Sequence, residues 1–434
     1  MKRAVRPSKR INGTPVPPGD KSISHRAVLL NAITAGTATV SHFCEGDDRR
    51  AMLGCLRGLG VRIKRIPSPD GDPSADSFVV YGRGTSGLRE PEDVLNAGNS
   101  ATTMRLMAGL LAAQPFFSVL SGDRSLRARP MDRIVRPLVK MGATIMGRGQ
   151  DALAPLAILG GDLHGIEYTL PVASAQLKSC LLIAGLYAKG ETIVHEPSTS
   201  RDHTERMMQA MGAAVTTKGS TIGIHRSDLT SMDVWVPGDI SGAAFWLVLG
   251  ACHPNAHIRV HRVGINPTRT GVLEALKAMG AKVTMENIRQ DAGEPSADLI
   301  VESSRLQATE LCGEMIPTVI DELPVLALAA CFAKGTTYIR DAHELRVKET
   351  DRIRATVEGL SRLGANIREQ TDGMVIEGGA PLTGAEVNSY GDHRIGMTMG
   401  IAGLLAKGET VVNGAEAVGA SYPRFWDTLD SLTK

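Results

Sequence analysis

A segment of one make recurs six times along the 434 residues, and it constrains the fold more than any other feature. Each copy opens on a polar, charged turn. It continues as an apolar run rich in Leu and Ala, meets a Gly turn, and ends in a short β-branched run. The copies lie at 21–40, 99–120, 174–194, 239–260, 321–339 and 392–412. After five of the six, a second helical stretch ends in Gly, at Gly60, Gly142, Gly212, Gly280 and Gly364. A period of roughly 65–85 residues is longer than a solenoid repeat and long enough for a complete unit of strands and helices. Six such units account for nearly the whole chain.

The punctuation of each unit is chemical. Asp, Ser or Asn stands before each apolar run, at Ser22 and Ser24, Asn99 and Ser100, Ser174, Ser241, Asp321 and Asp392, and these residue types cap helix N-termini. Gly36, Gly190, Gly335 and Gly408 then stop the helices, and Thr-rich β-branched runs follow as strands do. Each unit therefore reads strand–helix–strand–helix with further short strands, which is an α/β class. The Leu/Ala helices are apolar on most sides, which predicts burial within the unit. Two places look alike, Pro18-Gly19 and Val236-Pro237-Gly238, each before an Asp and a new helix. Crossings there put three units in 21–236 and the other three in 1–20 with 237–434. The Pro/Asp/Ser-rich stretches 67–77 and 291–297 are expected to be solvent-exposed turns.

Composition narrows the function classes. Aromatics are only 4%, too few for a base-stacking surface, so no nucleic-acid partner is expected. Net charge is +2, so any anion site is a local concentration of Lys and Arg. No apolar run approaches the ~20 residues of a membrane span, and the basic N-terminus lacks a following apolar segment, so neither membrane nor signal peptide is expected. The six Cys show no CxxC and are expected as buried thiols in a reducing cytoplasm. Eleven His are scattered without metal-ligand spacing, and no metal or other cofactor is expected.

The polar clusters at the helix starts are where chemistry is expected. They are Asp20-Lys21-Ser22-Ile23-Ser24-His25-Arg26, Asn99 to Arg105, the Arg-rich loop Arg124 to Arg133, Ser174-Ala175-Gln176-Leu177-Lys178, Ser200-Arg201-Asp202-His203, Arg346 to Arg352, and Tyr390-Gly391-Asp392-His393-Arg394. A helix N-terminus offers unpaired N–H groups and partial positive charge to a phosphate or carboxylate. Pro130 should hold Arg129 extended. Each cluster alone could be a solvated, charged surface, but in nearly every unit the cations stand at the same structural point. If the two groups of three units face each other, the clusters converge on one cleft suited to small polyanions. Asp321 and Glu322, set in an apolar stretch, are either capping residues or acids of raised pKa suited to proton transfer. P-loop, HExxH and GxSxG motifs are absent from the sequence.

Taken together, from Pro18 to about Pro423, these clusters closely resemble the 5-enolpyruvylshikimate-3-phosphate (EPSP) synthase family. The motifs are Gly19 to Arg26, Asn96 to Arg105, Arg129-Pro130, Ser174-Ala175-Gln176, Arg346 to Arg352 and Gly391 to Arg394. The resemblance implies a two-domain inside-out α/β barrel, each domain of three βαβαββ units, with helix N-termini facing the interdomain cleft. It implies transfer of the enolpyruvyl group of phosphoenolpyruvate to the 5-hydroxyl of shikimate 3-phosphate by addition and elimination, in a cytoplasmic monomer whose partners are those two small molecules. By resemblance Lys21, Asn99, Arg129, Gln176, Arg352 and Arg394 hold phosphoenolpyruvate. Lys21, Ser22, Arg26, Ser174, Ala175, Gln176, Ser200, Arg201, Lys348 and Asp321 hold shikimate 3-phosphate. Asp321 takes the hydroxyl proton, Glu349 serves C3, and Lys21 protonates the leaving or bridging oxygen.

Three departures from the family pattern count. Ala101 stands where many members carry Gly, and its methyl is expected beside the phosphoenolpyruvate site. Ala420-Ser421-Tyr422-Pro423 replaces a stretch that in many members begins with Lys. A family Tyr after the Ser200 position is replaced in Arg201-Asp202-His203. Together these resemble the branch less sensitive to glyphosate. Two alternatives remain: a UDP-N-acetylglucosamine enolpyruvyl transferase, which typically has Lys-Asn where this chain has Lys21-Ser22, and a non-catalytic repeat scaffold binding an anion, which would need no acids among the cations.

Overall fold

The structure is a computed structural model that describes residues 1–44, 46–68 and 76–433. The chain divides into two compact units. The first comprises Gly19–Pro237 with Gln290–Glu294, and the second comprises Met1–Pro18, Gly238–Arg289 and Pro295–Lys434.

Among the described residues the sixfold repeat appears as six sheets, five of four strands and one of three. One ladder serves as the pattern. Leu95–Asn96 runs parallel to Phe117–Ser121, which is antiparallel to Leu153–Leu159, itself antiparallel to Thr144–Gly147. The same order recurs in Glu167–Thr169, Glu191–His195, Thr221–His225 and Val215–Lys218. The first unit closes on itself because its last strand, Val234–Trp235, lies parallel to Thr37–Ser41 in its first sheet. The second unit borrows strands from the N-terminus: Ile11–Gly13 pairs with Ala256–Gly264, and Lys2–Val5 pairs with Thr410–Asn413. The three-stranded sheet belongs to the last copy, which is followed by the short helix Phe425–Ser431.

Each unit holds three buried helices, one per copy. In the first unit they are Lys21–Ala32, Ala101–Ala112 and Ala175–Gly185. In the second they are Ile240–Cys252, Leu323–Cys331 and His393–Leu405. In Ile240–Cys252 every residue from Ile240 to Ala251 is buried, as expected of a helix apolar all round. Small residues let such helices approach. A Cβ at Gly109 would overlap the Cys180 carbonyl of the neighbouring helix. The glycines that end the five second helices all take φ between +80° and +113°, a region that penalises any side chain.

Several expectations need correction. Ser22 and Ser24 lie inside their helix, and the cap is Asp20, whose side chain accepts from Ile23 N. Ser241 likewise yields to Asp239. Asp321 caps nothing, because its helix starts two residues later at Leu323. At Asp20 and Asp239 a carboxylate meets the helix N–H groups with a full charge, whereas Glu322, directly before Leu323, makes no such bond. The stretch 291–297 is a hairpin turn between Lys282–Asp291 and Glu294–Glu302 rather than an exposed loop, and Glu294, Ser296 and Ala297 are buried. Of the stretch 67–77, residues 69–75 lie outside the described residues, while Asp76 is buried and binds Arg65 and Ser68 N. Of the six free cysteines, Cys312 is exposed and Cys252 half-buried, against the expectation of burial throughout.

Candidate active site

In the first unit, side chains tie the three helix starts together. Thr103 Oγ1 donates to the Asp48 carbonyl at 3.1 Å, and His25 Nε2 lies 3.2 Å from the same oxygen. Gln176 Nε2 donates to Thr102 Oγ1 at 2.9 Å, and its other end accepts from Arg105. Arg26 donates from Nη2 to Ser179 Oγ at 2.6 Å. Thus Lys21, Ser22, Arg26, Ala101, Ser174, Ala175 and Gln176 all belong to one connected cluster of helix N-termini.

Lys21 is half-exposed and paired with Asp48. Burial alone would raise the Asp48 carboxyl, but Lys21, His25 and Arg49 hold it below its ordinary value. His25 is fully buried, with Nδ1 2.7 Å from the Lys21 carbonyl, and burial lowers its pKa to about 3. Burial also lowers the Arg26 guanidinium, against the pull of Glu205, Asp20 and Glu294. Arg105 is lowered to about 10 by burial, with Arg133 and Arg129 adding repulsion. Arg129 is extended as Pro130 predicts (φ −80°, ψ 139°) and donates to Asn99 Oδ1 at 2.9 Å. Asn99 in turn donates to Asp123. Ser174 caps its helix. Ser200 donates to Glu196, and Arg201 stands near enough to Arg26 to disfavour its charge.

In the second unit a charged network joins the other three helix starts. Arg352 is buried and reaches three carboxylates: Asp392 at 2.7 Å, Glu349 at 2.6 Å and Asp321 at 3.2 Å. Arg394 donates to the Asp321 carbonyl at 3.0 Å and lies 3.5 Å from Glu322. Ser241 donates to Glu322, and Arg269 donates to Ser241 at 2.7 Å. Burial raises the Glu322 carboxyl in spite of Arg394 and Arg269. Burial would lower Arg394, but Asp321, Glu322 and Asp239 raise it. Lys348 sits apart from this network, paired with Glu344 at 2.6 Å. Asp392 caps His393–Leu405 while holding Arg352.

The arrangement presents cations and helix N–H groups to anions, with carboxylates at hand for proton transfer. A family model described as EPSP synthase (3-phosphoshikimate 1-carboxyvinyltransferase) matches residues 5–429. The chain belongs to the EPSP synthase family.

Relatives named 3-phosphoshikimate 1-carboxyvinyltransferase from Bacillus thuringiensis subsp. konkukian and Bacillus cereus are each 51% identical over 434 residues, covering 100% of this chain and 99% of theirs. A solved EPSP synthase from Acinetobacter baumannii matches with a TM-score of 0.93 at 43% identity, over 99% of this chain and 98% of that one. The fold of the EPSP synthase family is therefore this chain's fold.

Within this EPSP synthase framework several partners were not legible in the sequence. Lys178, grouped there with the helix-start cations, is 1% exposed and locked between Glu196 and Glu205, each at 2.7 Å. Glu196, Glu205 and Arg269 carry no sequence signal, because nothing local marks a charge as buried; the Asp48 partner of Lys21 is equally unmarked. Glu322 carried a signal, an acid in an apolar stretch, but had no assigned partner. Directly after Ala420, Ser421 and Tyr422 line a small cavity of about 20 Å³ with Pro18, Asp239, Ser241, Gly242, Arg394 and Met397. Arg394 is the only cation among those lining residues.

Proposed function

We propose that this chain transfers the enolpyruvyl group of phosphoenolpyruvate to the 5-hydroxyl of shikimate 3-phosphate, giving 5-enolpyruvylshikimate 3-phosphate and phosphate. The observation that carries this is the full-length match at 51% identity to relatives bearing that activity's name. The 5-hydroxyl oxygen adds to C2 of phosphoenolpyruvate while C3 takes a proton. Loss of a C3 proton and of phosphate from the tetrahedral intermediate restores the C2–C3 double bond, now as an enol ether of the acceptor.

The residue roles follow from charge and reach. Lys21, Arg129, Arg352 and Arg394 hold phosphate and carboxylate, with Asn99 and Gln176 beside them. Arginine suits planar and tetrahedral anions because it donates two parallel N–H bonds. In the free chain Arg352 is satisfied by protein carboxylates, so a substrate carboxylate competes with half-exposed Glu349 for the same N–H. That competition leaves Glu349 available to serve C3. Asp321 accepts the 5-hydroxyl proton, and Lys21, released from Asp48, protonates the leaving or bridging oxygen. Ser22, Arg26, Ser174, Ala175, Gln176, Ser200, Arg201 and Lys348 hold shikimate 3-phosphate. Each proton transfer contributes typically ~10²–10⁴-fold.

The enzyme acts as a monomer in the cytoplasm on this proposal, and six free thiols fit a reducing compartment. Phosphate release tests the whole reading. It is expected with phosphoenolpyruvate plus shikimate 3-phosphate, and not with UDP-N-acetylglucosamine as acceptor. Lys21→Met and Glu349→Gln should each lower turnover by ~10²–10⁴-fold. Binding of both substrates without phosphate release would favour the scaffold alternative and overturn the proposal.

A further inference from the structure

The first unit contains a buried ionic triad that no proton-transfer or anion-holding role accounts for. Lys178 Nζ lies 2.7 Å from Glu196 Oε2 and 2.7 Å from Glu205 Oε1, with side-chain exposures of 1%, 3% and 5%. Its third proton points to the Ser200 carbonyl at 3.4 Å, so all three donors are committed. Glu196 uses its other oxygen to accept from Ser200 Oγ. Both polar ends of Ser200 are therefore held by the triad, its carbonyl by Lys178 and its hydroxyl by Glu196.

A second rung lies one residue along on each helix. Ser179 follows Lys178 on Ala175–Gly185, and Thr204 precedes Glu205 on His203–Ala210. Their hydroxyls are 2.6 Å apart. The donor order is fixed from end to end: Arg26 Nε to Thr204 Oγ1, Thr204 to Ser179 Oγ, and Ser179 to the Ala175 carbonyl at 2.6 Å. Arg26 Nη2 also donates to Ser179. The triad clamps the two helices, and the clamp sets the rung on which Arg26 rests. A buried ion triad is a costly way to hold two helices together, since apolar side chains of like volume do as well or better. Its geometry earns explanation by what it orients.

We propose that Lys178, Glu196 and Glu205 are positioning residues that fix Ser200 and Arg26 for the phosphorylated acceptor while touching neither substrate. This rests on the enolpyruvyl-transfer function proposed above. Loosening the triad should weaken acceptor binding far more than phosphoenolpyruvate binding, because among the described residues Lys21 and Arg129 make no bond to it, and Gln176, on the same helix as Lys178, is held by Thr102 and Arg105 instead.

The test is steady-state kinetics on the full chain with each substrate varied in turn. Glu196→Ala leaves Lys178 opposite Glu205, so no buried charge is orphaned and folding is expected. Its KM for shikimate 3-phosphate should rise about tenfold, as for loss of a hydrogen bond to a charged group. Its KM for phosphoenolpyruvate should stay within about twofold and kcat within about threefold of wild type. Glu196→Gln, which keeps an acceptor for Ser200, should restore most of the loss. If Glu196→Ala does not fold, Glu196→Gln measured with and without Ser200→Ala replaces it: non-additive effects on the acceptor KM support the brace, and additive effects overturn it. The brace is equally overturned if both KM values rise together, or if neither moves while wild type turns over. A wild-type chain that releases no phosphate from the two substrates sinks the functional proposal instead, and the inference with it.

Discussion

Arg352 and Asp392 form a buried ion pair, Nε to Oδ2 at 2.7 Å, with side chains 2% and 0% exposed. Asp392 does two things at once. It caps His393–Leu405 by accepting from the Arg394 and Ile395 N–H groups, and it anchors the guanidinium that Glu349 and Asp321 share. Asp392→Ala removes the cap and one counter-charge together. The cap is worth ~1 kcal/mol, and breaking a buried pair costs about 3–5 kcal/mol. Two carboxylates remain on Arg352, so a loss near the lower figure, about 3 kcal/mol, is expected. Asp392→Asn keeps the cap and should lose less. Both should raise KM for phosphoenolpyruvate more than KM for shikimate 3-phosphate. Urea denaturation alongside kinetics measures this. An Asp392→Ala chain as stable as wild type would show that Arg352 needs no anchor there.

His25 makes stability depend on pH. Unfolded, its imidazole titrates near 6.5; folded, burial beside Lys21 and Arg49 lowers it to about 3. The folded pKa is depressed, so below 6.5 the unfolded chain takes up a proton that the folded chain refuses. This group's contribution is therefore fully present above pH 6.5 and drains away as pH falls toward 3. The slope is about 1.4 kcal/mol per pH unit, and the full span is on the order of 5 kcal/mol. His25→Gln cannot titrate. Unfolding free energies at pH 7.5, 6 and 5 should fall more steeply for wild type, by close to one proton. Parallel pH curves for the two chains would mean that His25 is not held neutral.

What the sequence made legible has a common physical basis. The six-copy repeat was visible because a helix buried on all sides must be apolar on all sides, and because glycine alone takes a left-handed turn without strain. The helix-start clusters were visible because capping chemistry is local. The rest depended on partners far apart in the chain. Nothing near Lys178 separates a solvated cation from one sealed between Glu196 and Glu205, 18 and 27 residues on. Glu294 looked like part of an exposed turn, yet it is 1% exposed because His203, 91 residues away, meets it at 2.9 Å. Choosing Asp20 over Ser22 as a cap needed only a shift of two residues, which an apolar run that fades at its start does not fix.

Ala101 gives the sharpest test of inhibitor selectivity. It is the first residue of Ala101–Ala112, directly after the cap Ser100, whose Oγ accepts from Thr103 N at 3.1 Å. It is half-buried against the apolar core of the first unit, and its neighbour Thr102 is bonded to Gln176. The methyl therefore sits on a helix start with little freedom to move aside. Glyphosate is longer than phosphoenolpyruvate and should meet that methyl, while the substrate should not. Ala101→Gly removes the obstacle and leaves the cap in place, at a stability cost of roughly 0.5–1 kcal/mol or less at a helix end. The Gly chain should be more sensitive to glyphosate, with KM for phosphoenolpyruvate changed no more than about twofold. Inhibition curves for the two chains at matched phosphoenolpyruvate measure the difference. Equal sensitivity would show that tolerance, where it exists, is set elsewhere than at the Ala101 methyl.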